Sequence, residues 1–143
     1  LRHLKKNQIM AAEKSGCVIL ADRHQNLLEG IRGLLETLFE TVVMVADKRS
    51  LFEAIEKVRP DLAVVDLSLS AFSRVSIAGE IKESYPQLKF IILSVHDDPT
   101  AIDEVMSAGA AAFVLKRSVA VDLFEAVQRV QEGHTFVSAG TEE

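Results

Sequence analysis

The sequence predicts an α/β fold: a parallel sheet with helices on both faces, arranged as a three-layer sandwich. Two observations predict it. Five short apolar runs recur between residues 17 and 115. Each is followed by a stretch whose apolar residues fall at helical spacing. Regular strand-helix alternation of this kind argues for parallel strands joined by right-handed crossovers. No sequence repeat and no low-complexity segment interrupts the pattern.

The first strand is Cys17, Val18, Ile19, Leu20 and Ala21, after Gly16 and before Asp22 and Arg23. Leu27, Leu28, Ile31, Leu34, Leu35 and Leu38 then mark an amphipathic helix. Glu29, Arg32 and Glu36 lie off its stripe. Thr41 to Val45 is rich in β-branched residues and reads as the second strand. Asp47 is a candidate N-cap for a helix marked by Leu51, Ile55 and Val58 and stopped by Pro60.

Leu62 to Asp66 is the third strand, the apolar run on which the chain centres. Its continuous apolar character fits burial on both faces. A Ser-rich loop (Ser68, Ser70, Ser73) follows. Val75, Ala78 and Ile81 suggest a third helix, stopped by Pro86. Phe90 to Leu93 is the fourth strand, ending at Ser94. Asp98 and Pro99 look like an N-cap and first helical residue. Ile102, Val105 and Met106 belong to that helix, and Gly109 ends it. Ala112 to Leu115 is the fifth strand, ending at Lys116. Leu123, Val127 and Val130 mark the last helix, closed by Gly133. Residues 16–133 thus read as one domain. Residues 1–15 are expected to be an N-terminal extension, and residues 134–143 the start of a linker.

Bulk composition narrows the function. The chain has 143 residues, 48% hydrophobic, enough for a single core. A net charge of -5 argues against a general electrostatic grip on nucleic acid. The single cysteine, Cys17, excludes an intrachain disulfide and is expected to be buried and inert. His3, His24, His96 and His134 are scattered, without paired metal-ligand spacing. No apolar stretch approaches the ~18 residues of a membrane span. No signal peptide is visible, so a cytoplasmic location is expected.

The position of the polar residues carries more. Strands one, three, four and five end at Asp22, Asp66, Ser94 and Lys116. In a parallel sheet these ends share one edge, where ligand crevices form. Each residue alone has a plain reading: Asp22 starts a helix, Asp66 caps one, Ser94 belongs to a loop and Lys116 is surface charge. Four together point to a site. Their chemistry suits phosphoryl handling. A carboxylate can form an acyl phosphate. A lysine neutralises phosphoryl oxygens, and a hydroxyl bonds to one. A second carboxylate helps hold Mg²⁺. A nucleotide site is disfavoured, because no Gly-rich phosphate loop follows any strand.

The stretches "VILADRHQNLLEGIRGLLE", "RPDLAVVDLSLS", "FIILSVHDDP", "AGAAAFVLKRSV" and "LFEAVQRVQEGHTFVS", in this order and spacing, resemble the response regulator receiver domains of the CheY-like superfamily, NarL/FixJ type. The resemblance covers residues 17–133. It implies a flavodoxin-like fold with five strands in the order 2-1-3-4-5. It implies that Asp66 is the phosphoacceptor, Ser94 the switch hydroxyl and Lys116 the phosphate-pairing lysine. Phe113 matches the aromatic that swings inward on switching, and His96 lies beside that pair. Asp22, Asp66 and the Ser68 backbone carbonyl are the implied Mg²⁺ ligands. The implied partner is a sensor histidine kinase. Output is expected through a changed face built from the last two helices and the fifth strand, or through a homodimer, and through a DNA-binding domain beyond residue 143. Such a chain is a phosphoacceptor rather than an enzyme, with at most self-phosphotransfer and autodephosphorylation.

Two departures from the family pattern stand out. Arg23 occupies the place of a second acid, usually a direct Mg²⁺ ligand. Residues 69–74 lack the usual proline and glycines. Two unit charges ~4 Å apart interact by about 4 kcal/mol at an effective dielectric near 20, which is about three decades of affinity. That loss follows if Arg23 points into the site. If it turns to solvent, one ligand is lost. If it pairs with Asp66, it takes the place of the cation. These departures motivate an alternative reading, a pseudo-receiver interaction module with an impaired Mg²⁺ site. A phosphatase using Asp66 is a third reading and lacks a substrate-pocket motif.

Overall fold

The computed structural model describes residues 14–70 and 76–138, with residues 25–28 described by backbone alone. The expectations for residues 1–13, for the Leu27 and Leu28 side chains, for residues 71–75 (Ser73 and Val75 among them) and for residues 139–143 lie outside that range.

The elements alternate as the sequence predicts. They are β1 (Cys17–Ala21), α1 (Gln25–Glu36), β2 (Thr41–Val45), α2 (Lys48–Val58), β3 (Leu62–Asp66), α3 (Ile77–Ser84), β4 (Lys89–Ser94), α4 (Pro99–Ser107), β5 (Ala112–Leu115), α5 (Val119–Gln131) and β6 (Phe136–Val137). Two 3₁₀ turns, Leu67–Ser70 and Lys116–Ser118, follow β3 and β5. All strand pairs are parallel, and the order is β2-β1-β3-β4-β5-β6.

Side-chain alternation along the strands separates two cores. Val18 and Leu20 of β1 and Leu62 and Val64 of β3 pack with Ile31 and Leu35 of α1 and Leu123 and Val127 of α5. Ile19, Ala21, Ala63 and Val65 point the other way. They pack with Leu51 of α2, Ile81 of α3 and Ile102 of α4. β3 is buried along its whole length, as a central strand covered on both faces must be.

The sheet has one strand more than the five expected. Residues 136–137, expected as linker, pair with β5 through Ala112–Phe136 and Phe113–Val137. A cluster of polar side chains fixes them. Ser138 Oγ accepts the Leu115 N–H at 3.0 Å and donates to Asp122 Oδ2 at 2.8 Å. Ser118 Oγ donates to the same carboxylate oxygen at 2.8 Å. Ser138 is buried, and these bonds satisfy it there. A two-residue strand carries little periodicity, so the sequence does not announce it. Cys17 also departs from the buried position expected of it. It is only half-buried, and burial and the nearby Asp61 carboxylate push its thiol above the ordinary value.

The helix ends follow local chemistry. Asp98 Oδ1 accepts the Thr100 N–H, with Pro99 in the first turn. Gly109 has φ +118°, a conformation that side chains rarely adopt. Asp47 Oδ1 accepts the Ser50 N–H at 2.8 Å. That bond holds the Asp47 carboxyl below its ordinary value of 3.8. A depressed folded-state value means that the cap stabilises above the unfolded value. Its contribution disappears as pH falls through the folded value. Asp47→Ala therefore lowers the melting temperature at neutral pH, and the gap to wild type closes in strong acid. A gap that does not change with pH contradicts the cap.

Candidate functional site

The strand ends meet as the sequence predicts, at the C-terminal edge of the sheet. Asp22 directly follows β1, and its N–H donates to Val45 O of β2 at 3.0 Å. Asp66 closes β3. The 3₁₀ turn after it folds Ser68 back onto the carboxylate. The Ser68 N–H donates to Asp66 Oδ1 at 3.0 Å, and Ser68 Oγ donates to Oδ2 at 2.7 Å. Lys116 directly follows β5 and reaches both acids. Its Nζ lies 2.9 Å from Asp22 Oδ2 and 3.3 Å from Asp66 Oδ2. Asp22, Asp66 and Lys116 are all buried.

The Lys116–Asp22 contact is an ion pair. Among the described residues, Asp22 Oδ2 is buried with a neighbouring ammonium but no hydrogen-bond partner. Burial alone raises the Asp66 carboxyl, but the two Ser68 hydrogen bonds and the Lys116 charge outweigh it. The net direction is down, so Asp66 is a carboxylate at neutral pH.

Two features of the site have no mark in the sequence pattern. His24 belongs to the cluster. Its N–H donates to Asp22 Oδ1 at 2.8 Å. Its Nδ1 lies 3.0 Å from the same oxygen, 3.6 Å from Asp66 Oδ2 and 3.2 Å from Lys116 Nζ. One ring nitrogen cannot donate to Asp22 and accept from Lys116 at once, so the tautomer decides which bond forms. The one hint is its place in the short loop after Asp22, which a search for metal-ligand spacing overlooks. The second feature is the Arg23 contact. Arg23 Nη2 donates to the Ser68 carbonyl at 2.8 Å.

Of the implied switch residues, Ser94 and Phe113 sit on β4 and β5, and His96 lies in the loop after β4. Ser94 ends β4 and is buried. Its Oγ accepts the His96 N–H at 3.0 Å and donates to His96 O at 3.2 Å. The His96 residue is exposed. Phe113 is fully buried among the residues under α2, α3 and α4. Arg117, next to Lys116, pairs with Asp97 at 3.1 Å on the surface.

Residues 18–128 match the family profile "Response regulator receiver domain". The chain belongs to the response regulator receiver family. Among curated relatives, the transcriptional regulatory protein DegU of Brevibacillus brevis is 31% identical over 122 residues, covering 84% of this chain and 52% of that protein. The oxygen regulatory protein NreC of Staphylococcus epidermidis is 32% identical over 123 residues, covering 84% of this chain and 56% of that protein. The chain therefore spans about half the length of the curated relatives it matches. Among solved structures, the isolated receiver domain of RcsB from Salmonella enterica serovar Typhimurium, solved with phosphomimetic BeF₃⁻, superposes with a TM-score of 0.80 at 26% identity. That match covers 90% of this chain and 97% of that one. The fold is thus the CheY-like receiver fold, with β6 added at its edge.

Receiver domains generally bind Mg²⁺. Among the described residues, Asp22, His24 and Asp66 present ligand atoms within 4.8 Å of one another, a group suited to a cation. The three-oxygen set of Asp22, Asp66 and the Ser68 carbonyl fits Mg²⁺ poorly. The Ser68 carbonyl accepts a guanidinium, and the Lys116 ammonium lies within 3.3 Å of both carboxylates. Mg²⁺ demands near-octahedral oxygen coordination, which these cations obstruct.

Proposed function

We propose that this receiver domain accepts a phosphoryl group on Asp66 from the phosphohistidine of a sensor histidine kinase. The observation that carries the reading is the buried Asp66 carboxylate, ionised and held at the end of β3 between Ser68 and Lys116. One Asp66 oxygen attacks phosphorus, and an O–P bond forms as the P–N bond of the donor breaks. The imidazole leaves with the electron pair and takes a proton from solvent. Lys116 pairs with the phosphoryl oxygens. Ser94 turns its hydroxyl from the His96 backbone to the phosphoryl group, and Phe113 answers that movement beside His96. Asp22 holds Lys116 in place before transfer.

The output is a change of surface on the α4–β5–α5 side, read by a second copy or by a DNA-binding domain elsewhere in the protein. RcsB, a structural neighbour, has been solved bound to a promoter, and as two dimers on two DNAs. A cytoplasmic location follows from this role; no described helix is long and apolar enough to cross a membrane. The pseudo-receiver alternative loses ground, because residues 18–128 match the receiver family profile and the curated relatives are regulatory proteins. Incubation with acetyl phosphate tests the proposal. A single hydroxylamine-labile phosphoryl adduct is expected by intact mass, and its absence under every metal condition overturns it.

A further inference from the structure

Arg23 has the geometry and the charge to do the work of a divalent cation. Its side chain crosses from the loop after β1 to the turn after β3, and Nη2 meets the Ser68 carbonyl at 2.8 Å. The same Ser68 grips Asp66 with its N–H and its hydroxyl. Arg23 is thereby braced against the residue that orients the nucleophile. Its carbonyl contact is one that an oxygen-seeking cation would otherwise make.

The charges point the same way. Asp22 and Asp66 contribute two negative charges, and Lys116 and Arg23 contribute two positive ones. These four side chains sum to zero with no ion added. An acid at residue 23 would leave three carboxylates against one ammonium, a deficit of two. Placing arginine there changes the local charge by two units, which is the charge of one divalent metal ion. Contact and charge are both supplied by one side chain. A guanidinium also carries five N–H donors in a planar fork that matches phosphoryl oxygens.

We propose that Arg23 is a resident replacement for the divalent cation, and that Asp66 is phosphorylated without metal. The proposal rests on the reading of Asp66 as phosphoacceptor. Arg23 holds Ser68 against Asp66 and neutralises the incoming phosphoryl charge, while Lys116 covers the other side. With acetyl phosphate as donor, an Asp66 oxygen bonds to phosphorus, the bond from phosphorus to the acetyl oxygen breaks, and acetate leaves with the electron pair. No metal and no further reactant enters.

The experiment follows the rate of adduct formation from acetyl phosphate in excess EDTA and in MgCl₂, for wild type, Arg23→Asp and Arg23→Lys. Mg²⁺ titration of each protein, read by amide NMR shifts, supplies a second readout. Wild type is expected to react at the same rate in both media and to show no Mg²⁺ shifts. Arg23→Asp is expected to slow about a hundredfold in EDTA, the scale for removing one preorganised charge-stabilising donor. It is expected to recover in MgCl₂ and to gain Mg²⁺ shifts at residues 22, 66 and 68. Arg23→Lys keeps the charge without the fork, and is expected to stay metal-independent but slower. Wild type that reacts only with Mg²⁺ overturns the replacement and leaves Asp66 as phosphoacceptor. Wild type inert in both media, with Arg23→Asp active in MgCl₂, overturns both the replacement and phosphoryl acceptance by the wild-type chain, since Arg23 then blocks the site. No adduct on any protein in either medium overturns the phosphoacceptor reading itself.

Discussion

Lys116→Met is expected to destabilise the domain by about 3–5 kcal/mol, the cost of removing one partner from a buried ion pair. Lys116 Nζ lies 2.9 Å from Asp22 and 3.3 Å from Asp66, and all three side chains are buried. Without the ammonium, two carboxylates share a poorly solvated pocket. Asp66 keeps its two Ser68 hydrogen bonds. Asp22 keeps only the His24 contacts on Oδ1, and its Oδ2 has no hydrogen-bond donor among the described residues. Asp22 is therefore the source of most of the loss. Adding Asp22→Asn to the Lys116→Met protein removes that charge and is expected to restore much of the stability. Urea denaturation at neutral pH reads both changes. A loss below about 1 kcal/mol, the range of exposed pairs, contradicts the buried cluster.

Asp66→Asn is expected to abolish phosphoryl acceptance while the domain stays folded. The amide is a poor nucleophile beside a carboxylate, and no acyl phosphate forms. It keeps one acceptor oxygen for Ser68 and lies flush with the same buried strand. Lys116 retains Asp22 as a counter-charge. Circular dichroism should therefore match wild type, and the adduct mass should vanish. An adduct that persists on the Asp66→Asn protein assigns the acceptor to another residue. His24 is the first alternative, because its ring nitrogen stands 3.6 Å from Asp66 Oδ2.

The strand-helix order is legible in the sequence because burial leaves a strong trace. β3 is apolar from Leu62 to Val65 and covered on both faces, and the helix stripes of α1, α2 and α5 face the sheet. The convergence of Asp22, Asp66 and Lys116 is legible too, because parallel strands bring their C-terminal ends to one edge. β6 is not. Its two residues are held by Ser138, Asp122 and Ser118, partners spread over separate parts of the chain. No local period encodes such a contact. His24 is hidden for a similar reason. Its neighbours Asp66 and Lys116 lie on other strands, so no spacing in the sequence marks them as partners.

Arg23 shows the limit most clearly. The residue type departs from the pattern that the resemblance implies, but three orientations are equally compatible with the sequence. The contact with the Ser68 carbonyl is neither solvent nor Asp66. It depends on where the turn after β3 places one backbone oxygen. That placement follows from Ser68 folding back onto Asp66, a loop conformation that side-chain identity alone does not dictate.

The measurement that bears most directly on Asp66 as phosphoacceptor is chemical mapping of the adduct. Borohydride reduction of an aspartyl phosphate converts that residue to homoserine, and peptide mass spectrometry locates it. After treatment with acetyl phosphate, homoserine is expected at position 66 and nowhere else. Homoserine at position 22, phosphate retained on His24, or no reduced residue at all contradicts the account.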